Sequence, residues 1–488
     1  MHTPSEEQGL RARRLQSRAI EAFHRLPPSE ARAMLAALHD RAFGLGLTYV
    51  RDGNVVEAVR VMPLPVLITP EQRAYVHATS LTLLSALKRL ALLYRTDPDV
   101  RAILQLPADE EAWLFDEHKS LKRHDPVFAR LDAIVDFASP RWQQSLQFVE
   151  PNLSGVGGLH LLPMAERLAA TEVCPRLSSS SSTSPLTFEA CSDIRDLLVQ
   201  ELVDHLESTG RPGRHIVLIE PRETTPGVEE QDLIARHFHD RYGVTVSHAD
   251  PRDLTLKDGE VRHGDHIVDV AYRDYAVVDL LPLQKDGADL APIRQLFREN
   301  RMVSSIHAEI DQKADFEVLS DPVLVERHFS ADEADVLARH VPWTRSVWAR
   351  TTLGPGGTDI ELGSYLAANR PTLVIKPNRS YGGHGVVVGA AVDDATWATA
   401  VAAALAEPRS CVVQQKVDLP VVDVPVAVED IDADGGFDIV MEPFYVVMGF
   451  AATRAGLAIL GRASQKQVVN VAQRGGIIPV LVGHGSRR

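Results

Sequence analysis

The stretch LVIKPNRSYGGHGVVVG at 373–389 constrains the fold more than any other part of the 488-residue chain. It reads as an apolar strand that delivers Lys376, a loop carrying Gly382, Gly383 and Gly385, and a returning strand. Glycines let backbone N–H groups approach phosphate oxygens, and a lysine at a strand end supplies a point charge. The competing reading is a glycine-rich hairpin with a surface lysine. Neither G-x-x-x-x-G-K-[ST] nor a G-x-G-x-x-G opening a helix is present. Downstream, DDATWATAVAAALAE reads as a helix and CVVQQKV (411–417) as an apolar strand with a polar end. That end can offer backbone groups to an adenine edge, with Gln414, Gln415 and Lys416 beside the base and phosphates.

Charge narrows the partners. The chain carries 51 Lys and Arg against 66 Asp and Glu, a net −15 spread along its length. A diffuse negative surface repels phosphate backbones and anionic lipid, which argues against nucleic-acid and membrane-surface binding. It leaves room for a local basic pocket. Cys174, Cys191 and Cys411 are too few and too scattered for a disulfide framework and suit a cytoplasmic protein. The charged N-terminus lacks a signal-peptide apolar run, and no run of about 18 apolar residues predicts a membrane span.

The pattern along the chain predicts an α/β (α+β) protein in four parts. Residues 1–120 show helical spacing in SEEQGLRARRLQSRAIEAFHRL and PEQRAYVHATSLTLLSALKRLALLYR. Residues 121–200 contain the strand-like VFARLDAIVDF and SLQFVEPNLSGVGG, then the polar run RLSSSSSTSP, which reads as a surface connector. In 201–300, HIVLIEP, EEQDLIARHFHDRYG and VTVSHAD form a βαβ signature, followed by a hairpin turning at Lys257-Asp258-Gly259. Residues 301–488 begin helical and become strand-rich from 371.

Several blocks together resemble the circularly permuted branch of the ATP-grasp superfamily, which contains eukaryotic-type glutathione synthetase and glutathionylspermidine synthetase-like ligases. FVEPNLSGVGGL (148–159) is similar to that branch's E-x-N strand and following substrate loop, and RLD (130–132) to its R-x-D element. VAYRDY (270–275) resembles its substrate-facing arginine strand, and HAEIDQKADFEVLSD (307–321) the segment with its first ATP lysine. VPWTRSV (341–347) and GRASQKQVVNVAQRGGIIPVLV (461–482) complete the series in the branch's order. The resemblance implies a circularly permuted ATP-grasp fold, with 201–300 as an inserted βαβ substrate domain and 1–120 as an unmatched helical region.

It also implies a reaction: ATP phosphorylates a carboxylate, an amine attacks the acyl phosphate, and an amide, ADP and phosphate leave. On this reading Lys313, Lys376, Gly382, Gly383, Gly385 and Gln414, Gln415, Lys416, Val417 bind ATP. Glu150 and Asn152 hold Mg2+, a hard cation that takes oxygen ligands. Arg130, Arg273 and Arg462 clamp a carboxylate or acyl phosphate, with Arg273, Arg462 and Lys376 acting catalytically. Ser154, Gly157 and Gly158 face the acceptor. The substrates are small carboxylates and amines of the amino-acid, peptide or polyamine class, and a homodimer is expected by analogy.

One departure is visible. Asn378-Arg379-Ser380-Tyr381 lacks the loop glutamate that completes the relatives' metal site, so Asp438, Glu442 or water is left to take that place. A catalytically inactive nucleotide-binding scaffold and a kinase-like transfer without amide product are the alternatives. Asp430 to Gly435 imitates an EF-hand start, but Met441 stands where its glutamate belongs, so an acidic hairpin turn is expected. His237 and His239, two apart on a helix, fall on different faces and read as ordinary. The run Gly155-Val-Gly157-Gly158 does not have dinucleotide-fingerprint spacing.

Overall fold

The computed structural model describes residues 3–51, 55–116, 125–181, 185–211, 213–221, 230–429, 437–469, 471 and 475–484. The chain is mixed α/β. Its N-terminal part contains the helices Pro4–His24, Pro28–Gly44, Pro70–Thr96, Pro98–Ile103 and Ala108–Asp116. The first four each open on a proline, whose fixed φ suits a first turn. Thr3 with Glu6 and Thr69 with Gln72 close capping boxes that satisfy backbone donors at two of these starts. The part is not purely helical. Thr48–Arg51 and Val55–Ala58 pair antiparallel, and Val66–Ile68 runs parallel to Val480–His484, joining the N-terminal part to a strand more than 400 residues later. Helix Pro70–Thr96 is long and apolar enough to cross a membrane by composition, yet Leu83, Leu87 and Leu90 are packed in the main core.

The segment after 201 contains a parallel sheet ordered Met302–Val303, Val270–Arg273, His215–Ile219, Thr245–Ala249, with helix Gln231–Tyr242 crossing over between the last two. The expected hairpin pairs Lys257 with Glu260, and Asp258 and Gly259 both take positive φ (55° and 77°). Two left-handed residues in a two-residue loop match strand twist, which is why the Asp-Gly pair signals it. In RLSSSSSTSP, helix Cys174–Ser179 extends into the serines, and 182–184 lie outside the described residues.

Two further sheets frame the molecule's main cleft. The larger has the order Gly476–Ile477, Gly456–Ser464, Phe437–Thr453, Arg130–Ile134, Gln147–Asn152, and Val421–Glu429 also pairs with Phe437–Thr453. The smaller is ordered Thr344–Ser346, Cys411–Gln415, Leu373–Pro377, Val387–Val388. Strand alternation assigns their faces. Leu373, Ile375 and Val413 join Trp343, Leu366 and Trp397 in a separate small core, so Val374, Lys376 and Gln414 point the other way. On the larger sheet Leu131, Phe148 and Phe450 enter the main core, and Phe148 meets Phe450 edge to face at 6.0 Å. Asp132 takes the opposite face by alternation from Leu131. A register shift that pairs Asp132 with Glu150 but Ala133 with Phe148 breaks the alternation on the second strand, so Glu150 joins Asp132 there. The EF-hand-like residues 430–434 lie outside the described residues, between strands that pair Glu429 with Phe437.

Candidate active site

The two polar faces enclose a cavity of about 280 Å³. From the smaller sheet come Val374, Lys376, Val388, Gln414 and Gln415, and past the end of strand Cys411–Gln415 come Lys416, Val417 and Asp418. The larger sheet contributes Asp132, Ile134, Glu150, Tyr445, Val447 and Arg462. Lys313, Ser380, Gly383 and His384 close one end. The lining is apolar where flat (Val374, Val388, Tyr445, Val447) and charged where Lys313, Lys376, Glu150 and Asp132 meet, a division that suits a base joined to a polyphosphate.

Register explains the carboxylates. Asp132 lies opposite Glu150 across the antiparallel pair Arg130–Ile134 and Gln147–Asn152, so both side chains fall on one face as direct neighbours. Gly449 lies opposite Asp132 on the other side, and a Cβ there would come within 2.7 Å of Arg130 Cδ and 2.8 Å of Asp132 Oδ1. A glycine is required for these side chains to lie where they do.

The charges are already partnered on this sheet. Arg130 Nε donates to Asp132 Oδ1 at 2.9 Å and Arg462 Nη2 lies 2.7 Å from Asp132 Oδ2. Burial acts to raise the Asp132 carboxyl, but the two guanidiniums outweigh it and hold it below the ordinary range. The Lys313 ammonium sits 2.9 Å from Glu150 Oε1 and donates to the Ser380 carbonyl at 2.6 Å. Lys376 differs: it donates to two neutral acceptors, Gln414 Oε1 at 2.7 Å and the Val149 carbonyl at 3.2 Å. Desolvation pushes it down to about 8, against the pull of Glu150. Gly382, Gly383 and Gly385 have φ of 72°, 74° and 70°, the left-handed conformation that makes glycine necessary in this loop.

The structure thus brings Glu150, Lys313, Lys376, Gly383, Gln414, Gln415, Lys416, Val417 and Arg462 to one cleft. Other sequence-derived candidates stand behind it. Arg130 bridges Asp132 and the Gly157 carbonyl (2.6 Å). Asn152 donates from Nδ2 to the Arg130 carbonyl at 3.1 Å. Ser154 donates its N–H, and more distantly its hydroxyl, to Asp311 Oδ2 at 3.1 and 3.4 Å. Gly158 donates its N–H to Glu230 at 3.0 Å. Gly382 and Gly385 shape the loop that Gly383 turns toward the cleft.

Arg273 does not line the cleft. It is fully buried, ion-paired with Glu309 at 2.8 Å, and donates to the carbonyls of Ser304, Ser305 and Tyr275. Its fork is consumed in fixing the segment that precedes Lys313. Asp438 is two-thirds exposed and pairs with Arg32 at 3.5 Å, while Glu442 accepts from Gln465; neither lines the cleft. A further carboxylate of the cleft is Asp132, which the sequence shows only as the acid of the R-x-D element. Tyr445 and Gln467 also line the cavity, and neither carries a sequence signal of its own.

Two sheets thus clamp a cleft that carries two lysines, a glycine loop and a carboxylate pair. Across 94% of its length the chain superposes on 98% of a glutathione synthetase-like effector from Globodera pallida in apo form, with a TM-score of 0.59 at 11% identity. A provisionally assigned gamma-glutamylcysteine synthetase from Methylobacillus flagellatus aligns over 82% of this chain and 87% of its own (TM-score 0.41, 12% identity). D-alanyl-alanine synthetase A from Vibrio cholerae aligns over 51% and 88% (TM-score 0.26, 12% identity). No family model and no curated protein matches the sequence. The fold of this chain is glutathione synthetase-like.

Proposed function

We propose that the chain is an ATP-dependent carboxylate–amine ligase of circularly permuted ATP-grasp type, with the 201–300 segment as its inserted substrate-binding part. The observation that carries this reading is the convergence of Lys313, Lys376, Glu150, Asp132 and Arg462, from five distant stretches, on one cleft.

Lys376 and Lys313 hold the phosphates of ATP, and the apolar walls between Val374 and Tyr445 take the base. The backbone of Gln415 to Val417 lies beside it. A carboxylate oxygen of the first substrate attacks the γ-phosphorus, ADP leaves, and the acyl phosphate forms. An amine nitrogen then attacks the acyl carbon, phosphate leaves with the C–O bond electrons, and the nitrogen's proton passes to solvent or phosphate. Arg462 stabilises the anionic intermediate: its buried Nε–H has no hydrogen-bond partner among the described residues and remains as a donor. Arg130 and Asp132 fix its orientation. Positioning and charge carry the catalysis, so no side-chain nucleophile is needed.

The carboxylate oxygens of Glu150 and Asp132 in the cleft suit a hard divalent cation. Glu150 would hold Mg2+, with Asp132 opposite it on the same sheet face; Asn152, whose amide is turned to the Arg130 carbonyl, does not line the cleft. Such an ion neutralises charge on the transferring phosphoryl group. The test is ADP release measured against a library of carboxylates and amines, with product masses. Acid-and-amine-dependent ADP together with a condensed product of matching mass supports the ligase. Phosphorylated product without condensation would make it a kinase, and no turnover with any pair a scaffold.

A further inference from the structure

The N-terminal helices match no block of the family resemblance, yet one of them reaches the phosphate loop. Helix Ala108–Asp116 carries Glu110, a side chain 2% exposed, which forms a two-pronged ion pair with Arg379 of the loop. Arg379 Nη1 donates to Glu110 Oε1 at 2.8 Å, and Nη2 donates to Oε2. A bidentate guanidinium–carboxylate pair fixes orientation as well as distance, and burial strengthens it. The partners are separated by 269 residues in sequence.

A second tether runs in parallel. The Leu104 carbonyl accepts from Gln312 Nε2 (2.8 Å), and Gln312 Oε1 accepts from Asn378 Nδ2 (2.8 Å). Asn378 Oδ1 in turn accepts the Ala314 N–H at 2.9 Å, and the next loop carbonyl but one, that of Ser380, accepts from Lys313. The upstream half of the glycine loop is thereby fixed to the segment that bears Lys313. The downstream half is a run of turns over 382–385, entered from Tyr381, which is 76% exposed. Asn378, Arg379 and Ser380 thus form one of the links that set the distance between the two lysines; strand Gln147–Asn152 is another, through Glu150 and the Val149 carbonyl.

We propose that Glu110 is a positioning residue for nucleotide binding, acting through Arg379 on the loop between Lys376 and Gly383. The N-terminal helical part is then a working portion of the nucleotide site. This rests on the nucleotide-binding reading above and adds a role for a region that reading leaves without one.

The test uses the full chain and the Mg2+ complex of a non-hydrolysable ATP analogue, with binding followed by calorimetry. Glu110→Gln removes the charge and keeps the size; Arg379→Gln cuts the same pair from its more exposed side. Each is expected to weaken binding by about tenfold, a fraction of the loss from breaking a buried pair. Because both act through one contact, the double variant should lose about the same factor and not its square. Glu111→Gln is the control: Glu111 pairs with Arg101 and accepts from Tyr94 on the same helix, away from the loop, so it loosens the helix without touching Arg379. It is expected to leave the analogue's affinity unchanged. Analogue binding within about twofold of wild type in Glu110→Gln or Arg379→Gln would overturn the proposal, as would equal weakening by Glu111→Gln. A wild-type chain that binds no analogue at all refutes the nucleotide reading instead.

Discussion

The two walls of the cleft handle charge differently. On the larger sheet the charged side chains that line the cleft each face an opposite charge: Asp132 lies between Arg130 and Arg462, and Glu150 is paired with Lys313. On the smaller sheet Lys376 has only an amide oxygen and a carbonyl. The first wall is an electrostatic site that must exchange partners when an anion and a cation enter. The second is a cationic place held open by dipoles, where on the proposed reading a phosphate gains a charge interaction without displacing an ion pair. The difference predicts that substitutions on the two walls fail in different ways.

Lys376→Met should have the largest effect. It removes the unmatched charge and is expected to lower kcat/KM for ATP by about a thousandfold or more while leaving the fold intact, read by steady-state kinetics and circular dichroism. Glu150→Gln comes next. Turnover should fall by about a hundredfold or more, while nucleotide binding without Mg2+ strengthens because Lys313 is released from its carboxylate; weaker metal-free binding would break the exchange picture. Gly449→Ala should cost about 1–3 kcal/mol in denaturant melts, since its Cβ would meet Arg130 and Asp132 at 2.7 and 2.8 Å. It should also reduce turnover through Asp132.

The smallest effect is in pH. Because Lys376 titrates near 8 in the free protein, its ammonium is complete below that pH and lost above it. Nucleotide affinity is expected to be flat up to about pH 7.5 and to decline above 8, with a Lys376→Arg variant showing no such decline. The stability term has the opposite sign. The folded value lies below that of an unfolded lysine, so the unfolded chain holds more protons between about 8 and 10.4, and stability should rise with pH across that window.

The same contrast explains what was legible in the sequence. Lys376 and its glycines were readable because a local run of strand, loop and strand determines their geometry. The turn at Asp258-Gly259 was readable for the same reason. Glu150 was readable as part of a two-residue alternation on one strand. Asp132 was visible only as a neighbour of Arg130, because its position opposite Glu150 depends on the pairing register of two strands. Glu110 and Glu230 gave no signal at all. Glu110 meets its partner across 269 residues, and Glu230 accepts the N–H groups of Gly158, Leu159, His160 and Leu161 from some 70 residues away. Arg273 shows the reverse limit. Its place at a strand end was legible, but whether the fork faces a ligand or Glu309 is decided by tertiary packing.

Calorimetric titration of the Mg2+ complex of a non-hydrolysable ATP analogue into wild type, Lys313→Met and Lys376→Met tests the central claim most directly. One analogue should bind per wild-type chain, and each single variant should lose affinity by at least about tenfold, because both ammonium groups meet the same polyphosphate. Wild-type affinity in either lysine variant would contradict the shared site.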